Sequence, residues 1–223
     1  QRNIGLRNVN KNSAYVMFLD DDVNFEKNSL KKIYYFIKKS KFFNGLGFNL
    51  IIKKQNTLIE KIKKSGMFKF LGIYDNRLGV VTKSGWQTKA TNLKKDQFVE
   101  WLPTQAVIYN FKKIKNKRFD LRYGVYSYLE DLDFSYRLRK NLLIYSKAKY
   151  SSSNIVKRSP LMFGKKEIVN RFYFVKKFNL SKLNFFIGCF FLITKHLMLL
   201  LTIKPNYLSR LMGNFIGLLK ILI

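Results

Sequence analysis

Three consecutive aspartates directly after a short apolar run are the feature that most constrains this chain. The run, residues 14–19, is rich in aromatic and β-branched side chains, which is typical of a buried β-strand. Asp20, Asp21 and Asp22 therefore lie at the carboxyl end of that strand, the edge of an open α/β sheet where ligands bind. Adjacent like charges repel, and a bound cation would relieve the repulsion. A helix-capping turn explains one or two of these aspartates but not three.

An amphipathic stretch follows the aspartates. Between residues 24 and 40, four apolar side chains share one helical face about 100° wide: Leu30, Ile33, Tyr34 and Ile37. Further strands are predicted at residues 45–52 and 98–109, the second broken at Pro103. A strand, an acidic turn and a helix in this order are typical of an α/β nucleotide-binding unit.

A second cluster of carboxylates begins a segment that ends in cations: Glu130, Asp131 and Asp133 precede Arg137, Arg139 and Lys140. Acids at the start and cations at the end predict a helix, because each charge matches the dipole at its end. A carboxylate at a helix N-terminus is held ionised and oriented, which suits a proton-accepting base. A well-capped surface helix is the alternative interpretation.

The net charge limits the partners. The chain has 43 Lys and Arg against 13 Asp and Glu, a formal charge of +30, so we expect an anionic partner. Nucleic acid, an acidic membrane surface and a phosphorylated substrate all qualify. A nucleic-acid-binding face should avoid clustered carboxylates, and this chain concentrates them, so we expect no nucleic acid. The single cysteine, Cys189, and single histidine, His196, exclude a disulfide framework and a multi-histidine metal centre.

Four segments in this order resemble the family 2 glycosyltransferases, which are inverting nucleotide-sugar enzymes. The segments are Arg2-Asn3-Ile4-Gly5-Leu6, Phe18-Leu19-Asp20-Asp21-Asp22-Val23, Phe119-Asp120, and Glu130-Asp131-Leu132-Asp133 with Arg137-Leu138. The resemblance covers roughly residues 1–150. It implies an α/β fold of the GT-A type, a Rossmann-like mixed sheet, and we expect the chain to be a fragment that lacks the first strands of that fold.

The resemblance also implies roles on the donor side. Asp22 would be the main ligand of Mg²⁺ or Mn²⁺, and Asp20 would contact the metal or the nucleoside. Arg2, Asn3 and Asp21 would lie near the nucleotide-diphospho-sugar donor. A hard cation of this kind is held by one or two carboxylates together with substrate phosphates.

On the acceptor side, the Glu130–Asp131 pair would supply the catalytic base, with Asp131 accepting the proton. Trp101 would stack on the acceptor, a glycan or a lipid-linked sugar, although a core aromatic is the more ordinary interpretation. No Gln-x-x-Arg-Trp element follows this pair, which indicates a non-processive enzyme. Many relatives carry a histidine a short way beyond. Here the sequence is Tyr150-Ser151-Ser152-Ser153-Asn154-Ile155, so either a serine or asparagine substitutes for it or a metal contact is missing.

The composition shifts near residue 157, which divides the chain into a catalytic domain at 1–156 and a basic helical region at 157–223. Residues 183–203 form a largely apolar stretch about 31 Å long as a helix, enough to cross a bilayer. Lys195 lies in its middle, however, and a central lysine costs about 2.5–3.5 kcal/mol.

After Pro205 the sequence predicts a helix with a cationic polar arc on one side and a leucine arc on the opposite side, which is typical of an interfacial helix. We therefore expect a C-terminal amphipathic and apolar helical tail on an anionic membrane surface. The predicted location is cytoplasmic, peripheral on or anchored in the inner face of the cell membrane. A helical pair packed on the catalytic domain, or in a dimer, is the alternative.

Three other functions remain open at this point. A nucleotidyltransferase would use both acidic clusters to hold two metals within about 4 Å of each other. A nucleic-acid-binding module would explain the charge. A glycan-binding relative without catalytic activity would explain the missing histidine.

Overall fold

The computed structural model describes residues 1–40, 42–52, 66–124, 127–153, 159–200 and 206–223. Its strands are β1 Tyr15–Leu19, β2 Val23–Phe25, β3 Gly45–Leu50, β4 Gln97–Val99, β5 Ala106–Asn110 and β6 Leu142–Ser152. Its α-helices are α1 Arg2–Arg7, α2 Ser29–Lys39, α3 Gly66–Phe70, α4 Phe111–Ile114, α5 Glu130–Tyr136, α6 Pro160–Lys177, α7 Lys182–Leu200 and α8 Asn206–Leu222. A short 3₁₀ helix spans Leu121–Tyr123.

These strands form one mixed sheet in the order β1-β5-β3-β6-β2, with β4 also paired to β6. β3 and β6 are parallel, and the other pairs are antiparallel. The predicted mixed α/β class is therefore confirmed. Alternate residues of β5 face opposite sides, as the strand period of two requires: Ala106 and Ile108 pack on the α2 side, Val107 and Tyr109 on the α1 and α5 side.

β1 follows the predicted boundaries, but the prediction that it is a fully buried strand is wrong. It pairs with β5 and, within the described residues, with no other strand. Val16 and Phe18 pack on the core, whereas Met17 is 37% and Leu19 53% exposed. An edge strand with one covered face buries only alternate side chains, which accounts for the difference.

The helix predicted after the aspartates begins later than expected, because residues 23–25 pair with β6 as β2 before the chain turns. Its buried stripe also differs from the predicted one. Ile33 is buried and Phe36 stacks on Tyr145 of β6 at 4.4 Å, whereas Leu30 and Tyr34 are half exposed. The aromatic contact sets the face that meets the sheet, and hydrophobic spacing alone does not specify it.

The predicted strand at 98–109 is two strands, β4 and β5, with Pro103 in the connection between them. Proline lacks the N–H that a ladder needs, so the pairing stops there.

Helix α6 packs against the α5 side of the sheet through buried polar contacts. Arg171 is 1% exposed and donates to the Gly85 carbonyl at 2.5 Å, to Gln87 Oε1 and, at 2.9 Å, to the Tyr128 hydroxyl. Asn170 donates to the Tyr128 carbonyl at 2.8 Å. The first helix described in the 157–223 region is thus held to the rest of the fold, and the proposed domain boundary stays a prediction.

Helices α6 and α8 run side by side in the same direction, and glycines set their separation. A Cβ on Gly213 would lie 2.1 Å from the Leu161 carbonyl oxygen, and one on Gly164 would lie 2.2 Å from that of Arg210. Because glycine has no Cβ, the two helix backbones can approach each other closely at these positions. Helix α7 packs antiparallel against both, with Phe185 5.3 Å from Phe172 of α6.

Helix α8 carries the two opposite arcs expected from the sequence, and it packs on α6 through the small and polar arc. Gly213, Asn214 and Gly217, members of the polar arc, are buried against α6, and Arg210 pairs with Glu167 at 2.9 Å. Most of the leucine arc is exposed instead. Close packing of the glycines and hydrogen bonding of Asn214 require contact with α6, so the small and polar side turns inward.

Candidate functional site

The fold brings both acidic clusters to one edge of the sheet, where Arg2 joins them. Its Nη2 lies 3.1 Å from Oδ1 of Asp20, and its Nη1 contacts Oε1 of Glu130. Asp20 follows β1, whereas Glu130 begins α5 more than a hundred residues later. One guanidinium on α1 therefore neutralises part of the charge of both clusters.

Asp22 is held from the end of β6. The antiparallel register pairs Val23 with Ser152, which places the serine beside the preceding aspartate. Ser152 Oγ donates to Asp22 Oδ2 at 2.6 Å. Ser152 lies within residues 150–155, where the resemblance described above implies a histidine that this sequence does not have. Asn154 of that segment lies outside the described residues. The structure thus places a hydroxyl next to the predicted metal ligand.

Asp131 occupies the first turn of α5, and its Oδ1 accepts the Leu132 backbone N–H at 2.8 Å. Burial raises the pKa of this carboxyl above its usual range, although the nearby Arg2 charge opposes that shift. A carboxylate of raised pKa beside a cation has the basicity expected of a proton acceptor.

The pKa of one phenol is influenced by carboxylates of both clusters. Burial raises the pKa of Tyr150, and the charges of Asp20, Asp22 and Asp131 raise it further, so all three lie within electrostatic range of one hydroxyl. Tyr150 is not among the site residues predicted from the sequence. The sequence alone does not show that Tyr150 lies at an inward position near the end of β6, because that position depends on the register of the strand.

Three other predicted site residues lie in different surroundings. The Asn3 carboxamide exchanges hydrogen bonds with the Phe119 backbone, donating at 2.9 Å and accepting at 2.8 Å, so it fixes the chain before Asp120. Asp21 is exposed to solvent. Trp101 is 8% exposed and donates from Nε1 to the Thr88 carbonyl at 2.9 Å, so its ring is part of the core. Its acceptor role is a prediction that this burial does not support.

The last acid of the second cluster has a structural role. Asp133 is fully buried and lies 2.9 Å from Arg137 Nε and 2.5 Å from Lys177 Nζ. Lys177 also contacts Asp120 at 2.8 Å, which ties α5 and the 3₁₀ helix to α6. A buried carboxylate with two cationic partners is already compensated, so Asp133 is not available for a ligand.

The oxygen donors near Asp22 match what Mg²⁺ or Mn²⁺ requires. Among the described residues, no three His, Cys, Asp or Glu side chains are grouped to hold a metal by themselves. Asp20 and Asp22 nevertheless lie on one turn, with the Ser152 hydroxyl beside Asp22. Magnesium sites of this type use one or two carboxylates and take further oxygens from phosphates and water. The residues therefore fit a site that substrate phosphates complete.

A depression of about 500 Å³ lies at the opposite end of the sheet. It is lined by Asn44, Lys113, Lys117, Tyr136, Arg137, Leu138, Arg139, Lys140 and Phe178. None of the predicted site carboxylates borders it. The candidate site is therefore chosen by the carboxylates and Arg2 at one edge of the sheet, and not by the presence of a depression.

No protein-family model matches the chain, and no curated protein sequence matches it.

Proposed function

We propose that this protein is a metal-dependent inverting glycosyltransferase. It transfers one sugar from a nucleotide-diphospho-sugar to a glycan or lipid-linked acceptor. The observation that carries the proposal is the position of Arg2, which contacts Asp20 of the first cluster and Glu130 of the second and so places the two clusters beside each other. It is the arrangement expected when one carboxylate group serves the leaving group and another serves the nucleophile.

The proposed reaction is a single displacement. Asp131 accepts the proton of the acceptor hydroxyl while that oxygen bonds to the anomeric carbon. The bond from that carbon to the diphosphate oxygen breaks, and the electron pair leaves with the nucleoside diphosphate. Asp20 and Asp22 would hold Mg²⁺ or Mn²⁺, which neutralises charge on the departing diphosphate. The guanidinium of Arg2 adds positive charge on the same side.

The position of Arg2 also bears on the nucleotidyltransferase alternative. Such an enzyme needs both clusters to hold a pair of metals about 4 Å apart. Here a guanidinium contacts Asp20 and Glu130 together, so a cationic side chain already lies where the shared metals would be. Separate roles for the two clusters agree better with this geometry.

Two substitutions test the proposal in the full chain by calorimetry, with Mn²⁺ and uridine or guanosine diphosphate as probes. Asp22→Ala should abolish metal-dependent diphosphate binding. Asp131→Asn should leave it unchanged, because the base acts on the acceptor, while turnover of a matched donor falls about 10²–10⁴-fold. Glu26→Gln, an exposed carboxylate near Lys149, is the control. Unchanged binding in Asp22→Ala would contradict the metal assignment, and lost binding in Asp131→Asn would make that residue a donor ligand.

We also propose that the protein works at the cytoplasmic face of the cell membrane. By length and composition, α7 is apolar enough to cross a membrane: its mean hydropathy is 1.8 over a window only 22% buried. A core helix of a soluble protein would be mostly covered. A lipid-linked acceptor would be presented at such a surface.

A further inference from the structure

Helix α8 has an inverted distribution of side chains. The side that packs on α6 carries small and polar residues, and Asn214 there is fully buried, donating to the Gly164 carbonyl at 3.0 Å. The opposite side is apolar and uncovered, with five side chains between 47% and 67% exposed: Leu208, Met212, Phe215, Leu219 and Leu222. A helix in water alone would place these residues inward, so this face requires an apolar environment.

Helix α7 and the short helix α3 also carry exposed apolar side chains. Phe185, Cys189 and Leu192 of α7 are buried, whereas four other apolar side chains are 47–72% exposed: Leu183, Phe190, Leu197 and Met198. Phe68 of α3 packs on Phe191 at 4.6 Å, and its neighbour Phe70 is 90% exposed. We define the exposed apolar side chains of α3, α7 and α8 as the apolar face.

Charge favours a lipid bilayer over a second copy of the chain as the occupant. Two copies would bring formal charges of +30 together, whereas an anionic bilayer neutralises that charge. Lys182 and Lys220 are exposed near the ends of α7 and α8. Basic side chains at the border of an apolar face are typical of helices that lie in the membrane interface.

The contacts of α7 with the rest of the chain restrict how this helix can lie relative to a membrane. Asn184 Nδ2 donates to the Leu71 carbonyl at 2.5 Å, and a Cβ on Gly188 would lie 2.5 Å from the Trp86 ring. Near its other end, His196 Nδ1 donates to Asn214 Oδ1 at 2.8 Å. The helix is therefore held to the rest of the chain along most of its length.

Crossing the bilayer would require α7 to take these partners into the hydrocarbon. Its neighbour α6 carries Arg171, which also lies 4.7 Å over the Trp86 ring, and Glu167, which pairs with Arg210 of α8. Charged groups deep in a membrane are costly, and a bilayer core is about 30 Å thick against roughly 28 Å for a 19-residue helix. All of α7, with its charged neighbours, would have to be immersed.

We infer that the apolar face binds one leaflet of an anionic bilayer and that α7 lies along the surface without crossing it. The exposed side chains enter the boundary between headgroups and acyl chains, and α6 remains on the aqueous side with the sheet. This inference deepens the membrane location proposed above and is independent of the glycosyl-transfer chemistry.

Labelling of the two ends of α7 tests the orientation. In a Cys189→Ser background, which removes the single buried thiol, Lys182→Cys introduces a cysteine at the exposed first residue of α7, and Asn206→Cys introduces one at the exposed first residue of α8. The full chain is bound to preformed vesicles of phosphatidylglycerol and phosphatidylcholine and treated with a membrane-impermeant maleimide. Both variants should react fully without detergent. Protection of either cysteine until detergent is added would overturn the inference and make α7 a spanning helix.

Vesicle flotation with matched double variants tests the face itself. Phe215→Asp with Leu219→Asp should lower the bound fraction at least tenfold. Leu30→Asp with Phe98→Asp adds the same charge at residues 50% and 63% exposed on α2 and β4, outside the apolar face, and should lower it far less. Equal loss in the two pairs, or a parent protein that never floats, would refute membrane binding. Calorimetric diphosphate binding is measured on the same samples, so failure of the membrane inference is distinguishable from failure of the glycosyltransferase proposal.

Discussion

Ser152 donates a hydrogen bond to Asp22 at 2.6 Å, across the antiparallel pairing of β6 with β2. The contact fixes one carboxylate oxygen of Asp22. Hydrogen bonds of this kind orient a metal-binding carboxylate, and their loss typically costs 10–100-fold in metal affinity. The strand pairing thereby supplies part of the candidate metal site.

Ser152→Ala should weaken Mn²⁺ binding in the presence of uridine diphosphate by roughly 10–100-fold, because Asp22 loses the donor that orients it. Isothermal titration calorimetry measures the change. Ser151→Ala is the matched control, since Ser151 is the exposed neighbour on the same strand. Equal affinity in the two variants would show that the hydroxyl contributes nothing to metal binding.

Arg2→Ala should strengthen the binding of Mn²⁺ alone and weaken the binding of uridine diphosphate. Removing a positive charge that contacts Asp20 and Glu130 should strengthen binding of Mn²⁺ alone, by roughly tenfold if about 1–2 kcal/mol of repulsion is lost. Diphosphate binding should weaken, because the guanidinium no longer faces the phosphates. Mn²⁺ titrations with and without uridine diphosphate separate the two effects. If Mn²⁺ alone binds more weakly to the variant, Arg2 instead organises the carboxylates.

Asp120→Asn should lower stability at pH 7 by roughly 2–4 kcal/mol. Burial opposes ionisation of this carboxyl, but hydrogen bonds from Arg122, Lys177 and Tyr173 hold its pKa well below the usual range. A lowered folded-state pKa gives stability that is complete above the unfolded value, about 3.9, and is lost as the pH falls below it. Urea unfolding at several pH values should therefore show the two proteins becoming more alike below about pH 4. A constant difference would mean that packing, not charge, is responsible.

Gly213→Ala should destabilise the contact between α6 and α8 by about 1–3 kcal/mol. The new methyl would lie 2.1 Å from the Leu161 carbonyl, a backbone atom that moves only with its helix. Thermal unfolding measures the effect. Gly5→Ala is the control: it has no neighbouring atom within 4 Å, and alanine at a helical glycine should be neutral or stabilise by up to about 1 kcal/mol. Equal thermal stability of the two variants would contradict the close helix contact.

Much of the local structure follows from the sequence itself. Residues 15–19 form a strand, the aspartates follow its carboxyl end, and the second acidic cluster begins a helix. Each of these features depends on short-range spacing and on charges near a helix end, and a chain carries both before it folds. The burial of His196 and Cys189 follows in the same way from an apolar helical segment.

Contacts between distant segments decided what local spacing could not. Asp131 and Asp133 both lie in the first turn of α5, yet only the tertiary structure separates the one near the candidate site from the one paired with Lys177 of α6. In α8 the sequence shows two arcs, and the approach of Gly213 to α6 determines which arc is buried. Periodicity specifies that a helix has two sides; the shape and charge of the neighbour that packs against it specify which side faces inward.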